Sequence, residues 1–202
     1  MLSYIKGSLE VKTSGYIVIE TGGLGYKIYM PETSIEKLGD IGSTVKVHTY
    51  MKVREDDISL FGFNTNEELR MFELLLSVSG IGAKSAVVIL SNISPSKFAL
   101  AVITNDVGIL KKLPGIGPKT AARIILELKD KLKTEETIST SDMDNVSSTS
   151  PIIENNNISE AMAALQVLGY SIREIEEALS KFDTSNLQLE DIIKTALKNL
   201  SN

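Results

Sequence analysis

With 202 residues and 43% apolar content the chain has room for several small domains, but it lacks an apolar run near the ~20 residues a spanning helix needs. Lys6 and Gly7 interrupt the N-terminus before any leader-like segment can form, so a cytoplasmic protein without membrane partners is expected. The absence of cysteine and the single His48 exclude disulfides, thiolate chemistry and sulfur- or imidazole-based metal sites, and the net charge of −5 argues at first sight against a nucleic-acid partner.

Up to residue 63 the pattern is β-branched, aromatic and punctuated by glycine, and it predicts five strands at 4–11, 16–20, 26–30, 44–53 and 58–63. A short helical stretch fits 34–38. Five strands at this spacing suit a small barrel of the oligonucleotide/oligosaccharide-binding (OB) kind over residues 1–64. At Thr65 the apolar period lengthens to that of a helix. Thr65 and Glu68 form a capping-box pattern ahead of Leu69, Phe72, Leu75 and Leu76, while Ser94-Pro95 and Asn105-Asp106 repeat the grammar of helix starts. Residues 65–133 therefore read as all-helical. Residues 134–157 are rich in Ser, Thr, Asn and acids, too poor in apolar side chains to bury a core, and read as a flexible linker. Three amphipathic patterns over 158–202 make a small three-helix module. The expected class is α+β multidomain: an OB-like β-barrel, a central all-α domain, a linker and a helical module.

Within the central segment, SVSGIGAKSAVVIL (77–90) aligns with KLPGIGPKTAARII (112–125), with six of fourteen positions identical at an offset of 35 residues. Each copy reads as helix, Gly-Ile-Gly turn, helix, that is, a tandem helix-hairpin-helix domain. Gly80 and Gly82, like Gly115 and Gly117, let a ligand approach the main chain where the next helix offers unpaired N–H groups and the positive end of its dipole. A phosphate suits that position. Ile81 and Ile116 are expected to point inward and hold the turn, and Lys84 and Lys119 to reach the same phosphate, with Ser85, Thr120 and Arg123 beside them. Such contacts read charge and spacing rather than base sequence, and two hairpins related by a pseudo-twofold would grip two backbone positions across a minor groove.

The local charge favours this reading. Residues 1–76 carry 8 basic and 11 acidic side chains, 77–133 carry 9 and 3, and 134–202 carry 4 and 12, so the repeat occupies the net-basic segment. A tight structural turn remains the alternative for one isolated copy. Ala83 and Pro118 stand where a nucleotide-binding P-loop needs its second glycine, and Ser85 and Thr120 replace the third glycine of the dinucleotide fingerprint. No nucleotide cofactor is therefore expected; any ATP would be hydrolysed by a partner.

Between the fourth and fifth strands lies Arg54-Glu55-Asp56-Asp57. Three readings stand: a solvated turn, a divalent-metal nuclease site, or a wedge whose negative charge holds DNA strands apart. Consecutive carboxylates on a turn diverge, which weighs against the metal site. A helix-hairpin-helix glycosylase or nuclease, and a protein-interaction module that binds no nucleic acid, are the rival functions. Only Glu127 and Asp130 are available as acids over 121–133, on an ordinary amphipathic helix.

The order of these features, with GYIVIETGGLGYKIYMP, VREDDISLFGF, LPGIGPKTAARIILELKDK and ALQVLGYS, resembles the RuvA family of bacterial Holliday-junction-binding subunits along essentially the whole chain. The resemblance implies a non-catalytic homotetramer, one or two per four-way junction DNA, that serves recombination and repair. Glu55 and Asp56 match the family's acidic pin, with Asp57 an extra acid and Arg54 beside them on the DNA side. The C-terminal module resembles the part that engages a RuvB-type hexameric ATPase motor, with Leu165, Leu168, Tyr170 and Ile172 as candidates for its core or contact surface; a junction resolvase is a further partner the resemblance allows. Pro118 replaces a second lysine that some relatives carry beside Lys119.

Overall fold

The computed structural model describes residues 2–139, 156–184 and 187–200, which form two compact units. The first comprises Met1–Ser77 and Ile81–Ser94. Its strands are β1 (Tyr4–Lys12), β2 (Tyr16–Thr21), β3 (Leu24–Tyr29), β4 (Thr44–Val53) and β5 (Ile58–Phe63), with helix α1 (Glu32–Glu36) between β3 and β4. They close into a barrel in the order β1-β2-β3-β5-β4, in which β3 and β5 run parallel and the other pairs antiparallel. Closure leaves the sheet no open edge. Alternation sends Ile5, Leu9, Ile17, Ile19, Ile28 and Val47 into the interior, and a register shift between Leu9 and Val11 bends β1.

The opposite face of the strands is aromatic. Phe61 and Phe63 alternate with inward Leu60, and helix α2 (Asn66–Leu76) covers them: the Phe72 ring lies 5.3 Å from Phe61, 4.8 Å from Phe63 and 5.4 Å from Tyr50. The Thr65 hydroxyl accepts from the Glu68 amide, as a helix cap should. The Glu68 carboxylate does not complete a box with Thr65, however. It accepts from the Asn64 amide (3.0 Å) and the Ser34 hydroxyl (3.1 Å), tying α2 to α1, a tertiary partner that local spacing cannot reveal. Helix α3 (Ala83–Leu90) joins this unit as well, where the Ser91 hydroxyl that follows it accepts from the Glu32 amide.

The second unit comprises Val78–Gly80 and residues from Pro95 onward. It holds α4 (Pro95–Ile103), α5 (Val107–Leu110), α6 (Pro118–Ser139), α7 (Asn156–Val167), α8 (Ile172–Leu179) and α9 (Leu189–Leu200). The Asp106 carboxylate caps α5 by accepting from the Ile109 amide. Lys129 donates to the Ile103 carbonyl and to the Asn105 side chain, both at 2.9 Å, and so satisfies the C-terminal end of α4. Helices α7, α8 and α9 pack on one another, and α7 and α9 also on α4.

Several element edges differ from the sequence expectation, β3 among them, which spans Leu24–Tyr29 rather than 26–30. Helix α1 begins directly after Pro31, two residues before 34, because proline ends the preceding extended segment. Helix α6 runs to Ser139, past 133, since TEETIS contains no Gly or Pro to stop it. Helix α7 starts at Asn156 rather than 158. Of the expected linker, 140–155 lies outside the described residues, as does 185–186.

Candidate nucleic-acid interface

Both Gly-Ile-Gly turns adopt the same local geometry. Gly80 and Gly115 lie in the left-handed region, at φ 89° and 78°, which a side chain would disfavour. The middle residues Ile81 and Ile116 are each 6% exposed, so they anchor the turn from inside and do not present a ligand-contacting surface. Gly82 caps α3 without any side-chain hydrogen bond, which leaves the N-terminal amides of that helix to another acceptor. Its carbonyl accepts from Ala86, and that of Gly117 from Ala121, both at 2.9 Å.

Lys84 and Lys119 are the second residues of α3 and α6, and both side chains are exposed in the first helical turn. Ser85 is exposed and Thr120 half-buried. Pro118 opens α6 and has no N–H, so the second helix start presents one backbone donor fewer than the first.

The Arg123 side chain, 54% exposed, reaches toward the first turn. Its Nη1 donates to the Ser79 carbonyl (3.3 Å), and its Nε lies 3.9 Å from Glu127, whose other carboxylate oxygen accepts from the Ser79 amide (3.0 Å). Residues of α6 therefore clamp the peptide that leads into the first turn. Glu127, which the sequence places on an ordinary amphipathic face, is a positioning residue. The Arg123–Glu127 spacing of four was visible, but Ser79 is 48 residues away in the chain.

At the tip of the β4–β5 hairpin the Arg54 amide donates to the Asp57 carbonyl (2.8 Å), leaving Glu55 and Asp56 exposed between them. Asp57 is exposed as well. Its carboxylate turns back along the strand and accepts from the Ser59 hydroxyl. The strand ends under the tip expose Val53 and Ile58, a cross-strand apolar pair. A hollow of about 380 Å³ beside the tip is lined by Lys52, Arg54 and Asp56 on the barrel side and by Gly82, Lys84 and Ser85 on the hairpin side. Folding thus brings Arg54 and the first turn to one cavity.

Among the described residues no three His, Asp or Glu side chains converge into a group able to hold a metal ion, and no single helix is long and apolar enough to cross a membrane. His48 is half-buried in β4; desolvation and then the nearby Lys46 push its imidazole below the usual pKa, against an opposing pull from Glu67.

In the C-terminal helices, Leu165, Leu168 and Tyr170 belong to the core, which removes them as free contact residues, while Ile172 is 42% exposed at the start of α8. Ser171 and Glu174 form a full reciprocal capping box there.

Three family models match in chain order: RuvA N terminal domain at residues 1–62, SAM-like helix-hairpin-helix tandem at 72–130, and RuvA C-terminal domain at 156–201. The chain is 49% identical to the Holliday junction branch migration complex subunit RuvA of Acetivibrio thermocellus, over 100% of this chain and 99% of that one. It is 46% identical to the same subunit of Ruminiclostridium cellulolyticum, over 99% and 100%, and 44% identical to that of Clostridium botulinum strain Loch Maree, over 99% of each. Barrel, paired glycine turns and terminal helices thus match from end to end at 44–49% identity, and the chain belongs to the RuvA family.

Proposed function

We propose that this chain is the structure-specific DNA-binding subunit of a branch-migration complex, holding four-way junctions through phosphate contacts and doing no chemistry of its own. The observation that carries the reading is the pair of left-handed glycine turns, each followed at the second helical position by an exposed lysine, in the net-basic segment of an acidic chain. Amides at a helix start together with an ammonium suit a phosphate and ignore base identity. Relatives of nearly identical length carry the name of a Holliday junction branch migration complex subunit, which supports the same ligand here.

In this reading the exposed Glu55 and Asp56 repel phosphates at the crossover, and the apolar Val53–Ile58 pair beneath them is covered when tips from several copies of a homotetramer gather. ATP hydrolysis belongs to a RuvB-type motor, which the C-terminal helices engage on a surface that includes Ile172. The protein works in the cytoplasm in recombination and repair.

The test is a gel-shift titration of a synthetic four-way junction against linear duplex of equal length, with and without magnesium. Preference for the junction, steep loss of affinity with salt and intact strands are expected. Equal affinity for duplex, or magnesium-dependent cleavage, would overturn the reading, the latter in favour of a helix-hairpin-helix nuclease.

A further inference from the structure

We infer that a second hollow in the first unit, beside Tyr29, receives one unpaired nucleobase of the bound DNA. This rests on the junction reading above and adds a base-binding site to it. Strand alternation places Tyr16 on β2 and Lys27 and Tyr29 on β3 on one outward face, and Tyr29 pairs across the parallel register with Phe61. Tyr29 is 37% exposed, and its ring lies 5.9 Å from that of Phe61, which is itself backed by Phe72. The Lys27 ammonium sits 4.2 Å from the Tyr16 ring centroid and 5.2 Å from that of Tyr29, a cation–π arrangement that holds both rings.

Next to this braced ring is a hollow of about 540 Å³. Tyr29 and Phe61 line it on the barrel side; Val87 and Lys84, one helical turn apart on α3, line it on the other; Asp57 and Ser59 add polar groups. Its size suits a small ring ligand and excludes a duplex. A base entering here stacks on Tyr29 against an apolar wall, the mode by which aromatic side chains hold unpaired bases. The Asp57 carboxylate only accepts hydrogen bonds, so it favours bases with an exocyclic amino group. Asp57, Ser59, Phe61 and Lys84 also line the hollow beside the acidic tip, where Arg54 adds a second cation for the flanking phosphate. Bases free to enter arise where a four-way junction is held open.

The experiment uses the full chain and a four-way junction carrying 2-aminopurine at the crossover, with a second junction carrying it in mid-arm as reference. Stacking on Tyr29 should quench the crossover probe and leave the arm probe unchanged. Tyr29→Phe should retain the quench, whereas Tyr29→Ala should require about tenfold more protein for half the effect. Val87→Trp, which fills the hollow while keeping Tyr29, should abolish the quench. A junction retained in the gel with an unquenched crossover probe, or a quench that survives both Tyr29→Ala and Val87→Trp, overturns the base site and leaves the junction reading standing. Failure of the unmodified protein to retain the junction overturns the junction reading first, and the base site with it.

Discussion

Gly80 and Gly115 open two turns of nearly the same backbone shape, with Ile81 and Ile116 equally buried, yet their surroundings diverge. Around the first turn, Ser79 is held at both its amide and its carbonyl by Glu127 and Arg123, and Lys84 shares a hollow with Arg54. The second turn is held locally: the Ile116 amide donates to the Leu113 carbonyl, and proline starts the helix that follows. A repeated motif preserves its own geometry, while its neighbours decide how many donors and cations it offers. On this basis the first turn should be the stronger phosphate site.

The largest expected effect tests that ranking directly. Replacing both Lys84 and Lys119 with alanine should cost each DNA-bound subunit two charge-assisted contacts, each about 1.5–3 kcal/mol, and should flatten the salt dependence. Of the single variants, Lys84→Ala should lose more junction affinity than Lys119→Ala in a titration at fixed salt. The reverse order would break the comparison.

An intermediate effect separates backbone from surroundings. At Gly115 an added Cβ meets nothing within 4 Å, and at Gly80 only Arg123 Nη1 at 3.7 Å, an ordinary contact. Gly80→Ala and Gly115→Ala should therefore each destabilise by the left-handed penalty alone, about 1–2 kcal/mol, in denaturant unfolding. Clearly unequal losses would show that the turns differ in strain as well as in neighbours.

The smallest effect sharpens the contrast at the clamp. Glu127→Ala removes the acceptor from the Ser79 amide at a partly exposed site and should cost about 0.5–1.5 kcal/mol. Amide hydrogen exchange should accelerate at Ser79 and stay unchanged at Ile116. Equal acceleration at both amides would mean that the two turns open as one unit.

Legibility followed the range of the interaction concerned. The strands over 44–53 and 58–63 were readable to the residue because two-residue alternation and flanking turn residues are local. The starts of α2, α4 and α5 were readable from Thr65, Pro95 and Asp106 for the same reason. Both inward isoleucines followed from the repeat. Two contacts lay beyond that range because each joins residues far apart in the chain. Glu68 finds Ser34 instead of completing its box, and Arg123 reaches Ser79. Leu165, Leu168 and Tyr170 proved to be core, the usual fate of apolar residues at helical spacing, and only Ile172 remains on the surface.

By itself the sequence determined the order of barrel and helices, the two glycine turns and the concentration of positive charge around them. These depend on backbone preference, apolar period and composition, which neighbouring residues set. Only the tertiary structure decided which side chains are free to meet a ligand. It assigned Glu127 and Arg123 to the first turn, set Arg54 beside Lys84 and opened a hollow against Tyr29. Contacts between residues tens of positions apart arise from barrel closure and helix packing, and no local pattern along the chain encodes their pairing.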